Sequence, residues 1–318
     1  MQFDINAINA TAAEIVGLDC ALPLDAATLH AVKQAFLTHP VLIFRNQHLS
    51  AEELAAFCSR FGRLEDYAHA AAAAGDAEER SPSRLPALSE TGARGTPDQW
   101  LYVHPDHSAV LLMTNATLPD HVAIGIVDNA ETWHSDGAHK AAPYDAIILH
   151  AVENPAGGGG ETEFCDLRLA FDALQPDAQA ALTRLTAVHH WSKALNRRFA
   201  HVLDDAAREE GLRIAALVPA MRQPLVCRHA DSGRAFLYLS PRFTLHIEGF
   251  APDISCALLD EIFAHLENPR FCYRHEWQEN DLMIWDNHCL NHRVRAYAAE
   301  STRHRLRVAV SGRPMIRA

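Results

Sequence analysis

The sequence predicts an α+β or mainly β fold, a barrel of many short strands with a few helices packed outside it. Two observations carry that reading. Short apolar runs bounded by turn residues recur along the chain, as at Val41–Phe44, 110–115 and 146–152, and such runs read as buried strands. Helical periodicity, by contrast, is confined to a few short segments. No internal repeat or linker-like composition divides the 318 residues. Residues 1–318 therefore read as a single domain with ample length for a core.

Taken in order, residues 24–38 place Leu29, Val32, Ala35 and Phe36 on one helical face. Val41–Phe44 follows as a buried strand. Ser50 and Glu53 form a capping box for a helix running to about Phe61, where Gly62 stops it. Residues 66–105 then change character, rich in Ala, Ser, Gly, Pro and charge with little periodicity. They read as a long loop or partly helical insertion, a candidate lid. Strands are expected at 110–115 and 146–152. Pro155 and Gly157 to Gly160 make a turn, and 161–167 resumes an extended pattern. A short helix is expected at 168–174, and a second opens at Pro176 with Ala178, Leu182 and Leu185. Strands at 225–229, 235–239, 271–277 and 281–286, a helix at about 253–266 and a last strand at about 303–312 complete the chain.

Composition narrows the function. The net charge is −12 and no basic run is visible, which argues against a nucleic-acid partner. Seven scattered cysteines without a C-x-x-C pair argue against a disulfide framework and a thiolate zinc site. No signal peptide or apolar run of membrane length is read, so the expected compartment is the reducing cytoplasm.

Four motifs carry chemistry. In Trp133-His134-Ser135-Asp136, residues i and i+2 of an extended segment share a face, so one imidazole and one carboxylate converge; the plain alternative is a surface turn. Trp133 would supply an apolar wall. A polar turn after Trp285-Asp286-Asn287 leads to His288 and His292, four apart, which on a helix could form a two-histidine face. No Glu follows His288, so the H-E-x-x-H hydrolase pattern is absent. Arg303, Arg305 and Arg307 share a strand face, either a charge-protected edge or a guanidinium fork for a carboxylate. Gly157 to Gly160 lack the G-K-[ST] continuation of a P-loop and read as a turn positioning the Thr162 hydroxyl. With distant His292, His134 and Asp136 make two histidines and one carboxylate, a set that suits non-haem Fe(II).

The order of these motifs resembles the taurine/2,4-D dioxygenase (TauD/TfdA) family of Fe(II)- and 2-oxoglutarate-dependent oxygenases. The likeness runs from about residue 12 to 312 and includes Phe61-Gly62, Trp133–Asp136, Gly159–Thr162, Tyr273–Trp277 and Trp285–Asn287. It implies a double-stranded β-helix core, the jelly-roll also seen in clavaminate synthase-like proteins, with flanking helices. It implies Fe(II) on His134, Asp136 and His292, with O2 and 2-oxoglutarate as co-substrates. Thr162 and Arg303 would hold the distal carboxylate of 2-oxoglutarate, with Arg305 ranked below Arg303. Arg307 would meet the anionic group of a small substrate. A carboxylate at Asp136, where halogenating relatives leave a position open for chloride, favours hydroxylation. The chain departs from the family at His288, where Arg is usual, in one extra Gly before Thr162, and in a longer 66–105 insertion. Rival expectations are desaturation or oxidative rearrangement at the same iron site, or a non-catalytic jelly-roll metal-binding protein. A dimer or tetramer is common in the family.

Overall fold

A computed structural model describes residues 3–67, 103–104, 106–116, 131–195, 209, 211–213, 215–298 and 300–318. Apart from its two ends, the candidate lid at 66–105 lies outside the described residues. The largest sheet has eight strands, in the spatial order Asp4–Ala7, Ala12–Val16, Val41–Phe44, Leu282–Asp286, Ala146–Glu153, His304–Val310, His107–Thr114 and Val103–His104. All neighbours are antiparallel except Ala12–Val16 with Val41–Phe44. Among the described residues three smaller sheets accompany it, of which one, Cys272–His275, Thr162–Asp166 and Leu290–Val294, carries the site.

Both faces of the large sheet's central strands are buried, which is why those strands read as unbroken apolar runs rather than alternating ones. Leu42, Ile148, Leu282, Ile284 and Val308 point one way, into a core closed by Val32, Ala35, Leu54 and Phe57 of two helices. Ile43, Ile147, Leu149, Met283, Trp285 and Ala309 point the other way, into a core shared with Phe164 of the site-bearing sheet. The period of two assigns each residue of the same strand to one core or the other. Trp285 meets Phe164 edge-on with ring centroids 5.4 Å apart. Truncating so buried a tryptophan costs about 3–5 kcal/mol, so this contact fixes the two sheets that carry the site.

The helices end where their caps dictate. Ala26–Thr38 opens at Asp25, whose carboxylate accepts the Thr28 N–H. Ala51–Cys58 has both halves of the Ser50–Glu53 capping box; it stops at Cys58, one turn before the expected Phe61. Pro176–Thr183 and Pro252–Leu266 both begin at proline. The expected strands at 41–44, 110–115, 146–152, 161–167 and 281–286 stand within a few residues of their reading. Asp4–Ala7 is exposed throughout and Met221–Pro224 is polar, so neither has a hydrophobic signature. No helix among the described residues is long and apolar enough to cross a membrane.

Candidate active site

Leu290–Val294 pairs antiparallel with Thr162–Asp166, which sets His292 opposite Phe164. His292 also makes an isolated antiparallel bridge to His134. The His134 N–H donates to the His292 carbonyl at 3.0 Å, and the His292 N–H donates back at 2.7 Å. That reciprocal pair brings the distant histidine beside the H-x-D segment, with the imidazole centroids 4.2 Å apart. The Asp136 Oδ1 lies 3.5 Å from the His134 Nε2, and one ligand atom from each of the three residues lies within 4.8 Å of the others. The surface-turn alternative for His134-x-Asp136 does not hold: His134 is buried and Asp136 only partly open.

Asn287 holds this segment in place. Its Oδ1 accepts the Asp136 N–H at 2.9 Å, and its Nδ2 donates to the carbonyls of Asp136 and Tyr144 at 2.8 and 3.0 Å. Ser135 Oγ donates to the Asn287 carbonyl. The sequence marks Trp285-Asp286-Asn287 but does not indicate that the asparagine clamps the other motif.

The protonation states suit a metal. His134 Nδ1 sits 2.8 Å from the Thr132 carbonyl. A carbonyl only accepts, so Nδ1 carries the proton and Nε2 offers its lone pair. Burial holds the His292 imidazole well below its usual pKa, with His134 and the cations Arg307 and Arg242 adding to the effect. Its Nδ1 is buried without a hydrogen-bond partner. Burial raises the Asp136 carboxyl, but Arg307, the His134 bond and His292 outweigh it and keep the group ionised. Neutral imidazole and ionised carboxylate are the forms that bind a divalent ion.

The walls differ from expectation. Trp133 turns away: its indole N–H donates to Glu267 at 3.1 Å and Arg293 stacks over its ring at 4.2 Å. Trp285, at 4.9 Å from the His292 ring, and Phe243, edge-on to His134 at 6.1 Å, supply the apolar surround instead. Phe243 has no motif around it, and only tertiary structure reveals it.

The arginine strand is central, between Ala146–Glu153 and His107–Thr114, so the edge-strand alternative is overturned. All three arginines are buried. Arg307 donates from Nη2 to Asp136 Oδ2 at 2.7 Å and from Nη1 to the Tyr67 hydroxyl at 3.1 Å. Arg305 is engaged with the Glu153 and His304 carbonyls, with Asn154 Oδ1 and with the Trp277 ring. Arg303 runs under the glycine turn, where a Cβ on Gly160 would come within 3.2 Å of its Cδ. Gly160 also has φ +71°, a left-handed conformation natural to glycine. The turn thus brings Arg303 beside the segment leading to Thr162, whose buried Oγ1 accepts the Trp277 indole N–H at 3.0 Å.

His288 does not join His292 on a helical face. It lies in a turn and belongs to a second cluster with His229 and Asp286. His229 Nε2 meets Asp286 Oδ2 at 2.8 Å, while its Nδ1 accepts the backbone N–H groups of Ser232 and Asp231 at 3.1 and 3.3 Å. Asp286 Oδ1 accepts the N–H groups of His288 and Cys289. His288 Nε2 faces Asp145 Oδ1 at 3.3 Å, and Asp145 is in turn paired with Arg313 at 2.7 Å.

A sequence model of the taurine catabolism dioxygenase TauD, TfdA family matches residues 4–309. The chain belongs to the TauD/TfdA family. It is 33% identical over 302 residues to an alpha-ketoglutarate-dependent 2,4-dichlorophenoxyacetate dioxygenase of Cupriavidus pinatubonensis, covering 94% of each chain. It is 29% identical to a pentalenolactone F synthase of Streptomyces arenae, covering 83% of this chain and 79% of that one. The crystal structure of AAD-2 in complex with Mn(II) and N-oxalylglycine superposes with TM-score 0.72 at 24% identity, covering 99% of this chain and all of the other. This TauD/TfdA member therefore has the expected jelly-roll core with flanking helices. It is an oxidoreductase, a 2-oxoglutarate (alpha-ketoglutarate)-dependent dioxygenase acting with a metal on a small molecule.

Proposed function

We propose that the chain uses Fe(II), 2-oxoglutarate and O2 to hydroxylate a small anionic substrate, releasing succinate and CO2. The observation that carries this reading is the reciprocal His134–His292 backbone pair with Asp136 two residues on. His134, Asp136 and His292 hold Fe(II) through two neutral imidazoles and an ionised carboxylate, with remaining positions open as oxygenases need. When bound, the iron and 2-oxoglutarate supply the oxygen chemistry, and the protein supplies binding, orientation and shielding.

The chain's own residues then have distinct tasks. Arg303 and Thr162 hold the distal carboxylate of 2-oxoglutarate; Arg305, bonded to the Glu153 carbonyl and Asn154 and stacked on Trp277, ranks below Arg303 for that task. Arg307 meets the substrate anion while keeping Asp136 in place. Each Nη of a guanidinium carries two hydrogens, so the bonds to Asp136 and Tyr67 leave one on each for an incoming oxygen. A carboxylate is the favoured anion, since the 33%-identical relative acts on an aryloxyacetate. Trp285 and Phe243 exclude water around the two histidines.

The test is succinate release with Fe(II), ascorbate and 2-oxoglutarate across a panel of aryloxy and other small carboxylates, with product identified by mass. Succinate release accompanied by an added oxygen atom supports the reading; no substrate-stimulated succinate across the panel counts against the substrate class. The likeness to a pentalenolactone F synthase favours a second reading, oxidative rearrangement or desaturation at the same site, which product mass separates. We further propose a cytoplasmic homo-oligomer, a dimer or tetramer as is common in the family, with residues 66–105 as a lid over the site. Sedimentation of the full chain tests the assembly, and replacing 68–102 by a short linker, which keeps Tyr67 and the Val103–His104 strand, would remove the lid role if substrate affinity and coupling did not change.

A further inference from the structure

Cys165 and Cys272 face each other across two antiparallel strands of the site-bearing sheet. Cys165 lies on Thr162–Asp166 and is the register partner of Cys272 on Cys272–His275. Directly opposed residues of an antiparallel pair have Cα atoms ~4.5 or ~5.5 Å apart, and both separations fall within the ~4.4–6.8 Å span of disulfides. Register partners project their side chains from the same face of a sheet. Both sulfurs here lie near the Leu266 carbonyl, at 3.4 Å from Cys165 and 4.0 Å from Cys272, whose nearer acceptor is the Asn268 carbonyl at 3.7 Å.

The pair is asymmetric in the way a redox couple requires. Cys165 is buried and Cys272 half-buried. The neighbouring Cys165 thiol lowers the Cys272 thiol, with Arg293 assisting, against burial and the carboxylates of Glu163 and Glu267. The pairing with Cys272 and burial raise Cys165. Burial raises Cys58 and Cys289 well above the usual thiol range and pushes Cys227 up to about 12. Thiolate character and access govern thiol reactivity, so Cys272 is the attacking sulfur and Cys165 the resolving one.

We propose that Cys165 and Cys272 form a peroxide-oxidised dithiol that closes reversibly to a cross-strand disulfide. The Cys272 thiolate attacks one oxygen of hydrogen peroxide, the O–O bond breaks, and the departing hydroxide takes up a proton as water. The resulting sulfenic acid is attacked by Cys165 sulfur, the S–S bond forms, and the sulfenic oxygen leaves as a second water with the Cys165 proton. Two thiols are oxidised by two electrons in all, and one peroxide is reduced to two waters. The bond would tie the strand carrying Thr162 to the strand carrying His275, one residue from Phe164, which packs 6.4 Å from the His292 ring. In a reducing compartment such a disulfide is transient and sensing rather than structural. The chemistry requires neither metal nor substrate, so it stands or falls apart from the dioxygenase assignment.

The test uses the full chain with metal removed by chelator, exposed to hydrogen peroxide, alkylated and mapped by mass under non-reducing conditions. A Cys165–Cys272 linked peptide lighter by two hydrogens, lost on dithiothreitol treatment, is expected, forming about tenfold faster than oxidation of exposed Cys256. In Cys272→Ser, a substitution at a half-buried position that spares the core, the linked peptide vanishes and Cys165 stays reduced. In Cys165→Ser, Cys272 is trapped as sulfenic acid. Wild-type protein in which Cys272 passes to sulfinic acid without the linked peptide would overturn the proposal. So would a pair still reduced when Cys256 is oxidised.

Discussion

His134, Asp136 and His292 make one cluster of two buried imidazoles and a partly open carboxylate; His229, Asp286 and His288 make another, buried throughout. Residue types do not separate them, but hydrogen bonding does. In the first, His134 Nδ1 donates to the Thr132 carbonyl, leaving Nε2 as a lone pair beside Asp136. In the second, backbone N–H groups point at His229 Nδ1, so the proton sits on Nε2, aimed at Asp286, and the metal-binding lone pair is absent. Asp286 is likewise saturated, by His229 on one oxygen and two backbone N–H groups on the other. The second cluster cements the turn between Leu282–Asp286 and Leu290–Val294, the two strands that deliver Asn287 and His292. A ligand set is thus recognised by what the other ring nitrogen meets, not by its composition.

The largest effects should fall on the first cluster. His134→Ala, Asp136→Ala and His292→Ala are each expected to abolish succinate formation and metal uptake, whereas His288→Asn keeps one metal per chain. Two metals per wild-type chain, one of them lost in His288→Asn, would reverse the contrast. Second in size is Asp286→Asn, which leaves the His229 proton and the buried turn without their anion. Breaking such a pair costs about 3–5 kcal/mol, read by denaturant unfolding. Metal at ~100-fold above its Kd should add ~2.7 kcal/mol to both wild type and Asp286→Asn, and nothing to Asp136→Ala.

The sequence carries the first cluster well and the second hardly at all. The two-residue spacing of His134 and Asp136 and the order of the later motifs suffice to assemble the site. The apolar runs of the large sheet suffice to call its strands, because strands buried on both faces leave a continuous signature. What escaped depends on neighbours far along the chain. Three arginines on one strand fit either a charged edge or a guanidinium fork, and the pairing of His304–Val310 on both sides decides for the interior. Asn287, Phe243 and Tyr67 lie in no ligand pattern; each matters through a contact made across sheets. His288, read as a possible ligand, is drawn instead to Asp145 by the turn that carries it.

Smaller effects refine the contrast around the first cluster. Arg303→Ala should weaken 2-oxoglutarate binding by roughly 1.5–3 kcal/mol, the worth of charge-assisted bonds, with metal affinity unchanged by titration calorimetry; unaltered 2-oxoglutarate affinity would sink the assignment. Arg307→Ala removes the partner that orients Asp136 and should lower Mn(II) affinity about 10–100-fold, as loss of a ligand's supporting bond does. Equal metal affinity would leave Arg307 with the substrate alone.

The smallest effect is one of pH, and it takes opposite signs in the two clusters. Asp286 raises the His229 pKa against the opposing pull of burial, so the folded protein takes up a second, imidazolium proton on this ring more readily than the unfolded chain. This stabilisation is complete below the unfolded histidine value of ~6.5 and is lost as pH rises through the higher folded value. His292 is held neutral, so its contribution is present above ~6.5 and is lost as pH falls. In chelator, the stability difference between wild type and His229→Gln should therefore shrink as pH rises from about 6 to 9, while that between wild type and His292→Gln should not. Urea unfolding across that range reads both slopes. A difference for His229→Gln that grows with pH would mean that burial, not Asp286, governs the protonation of its imidazole.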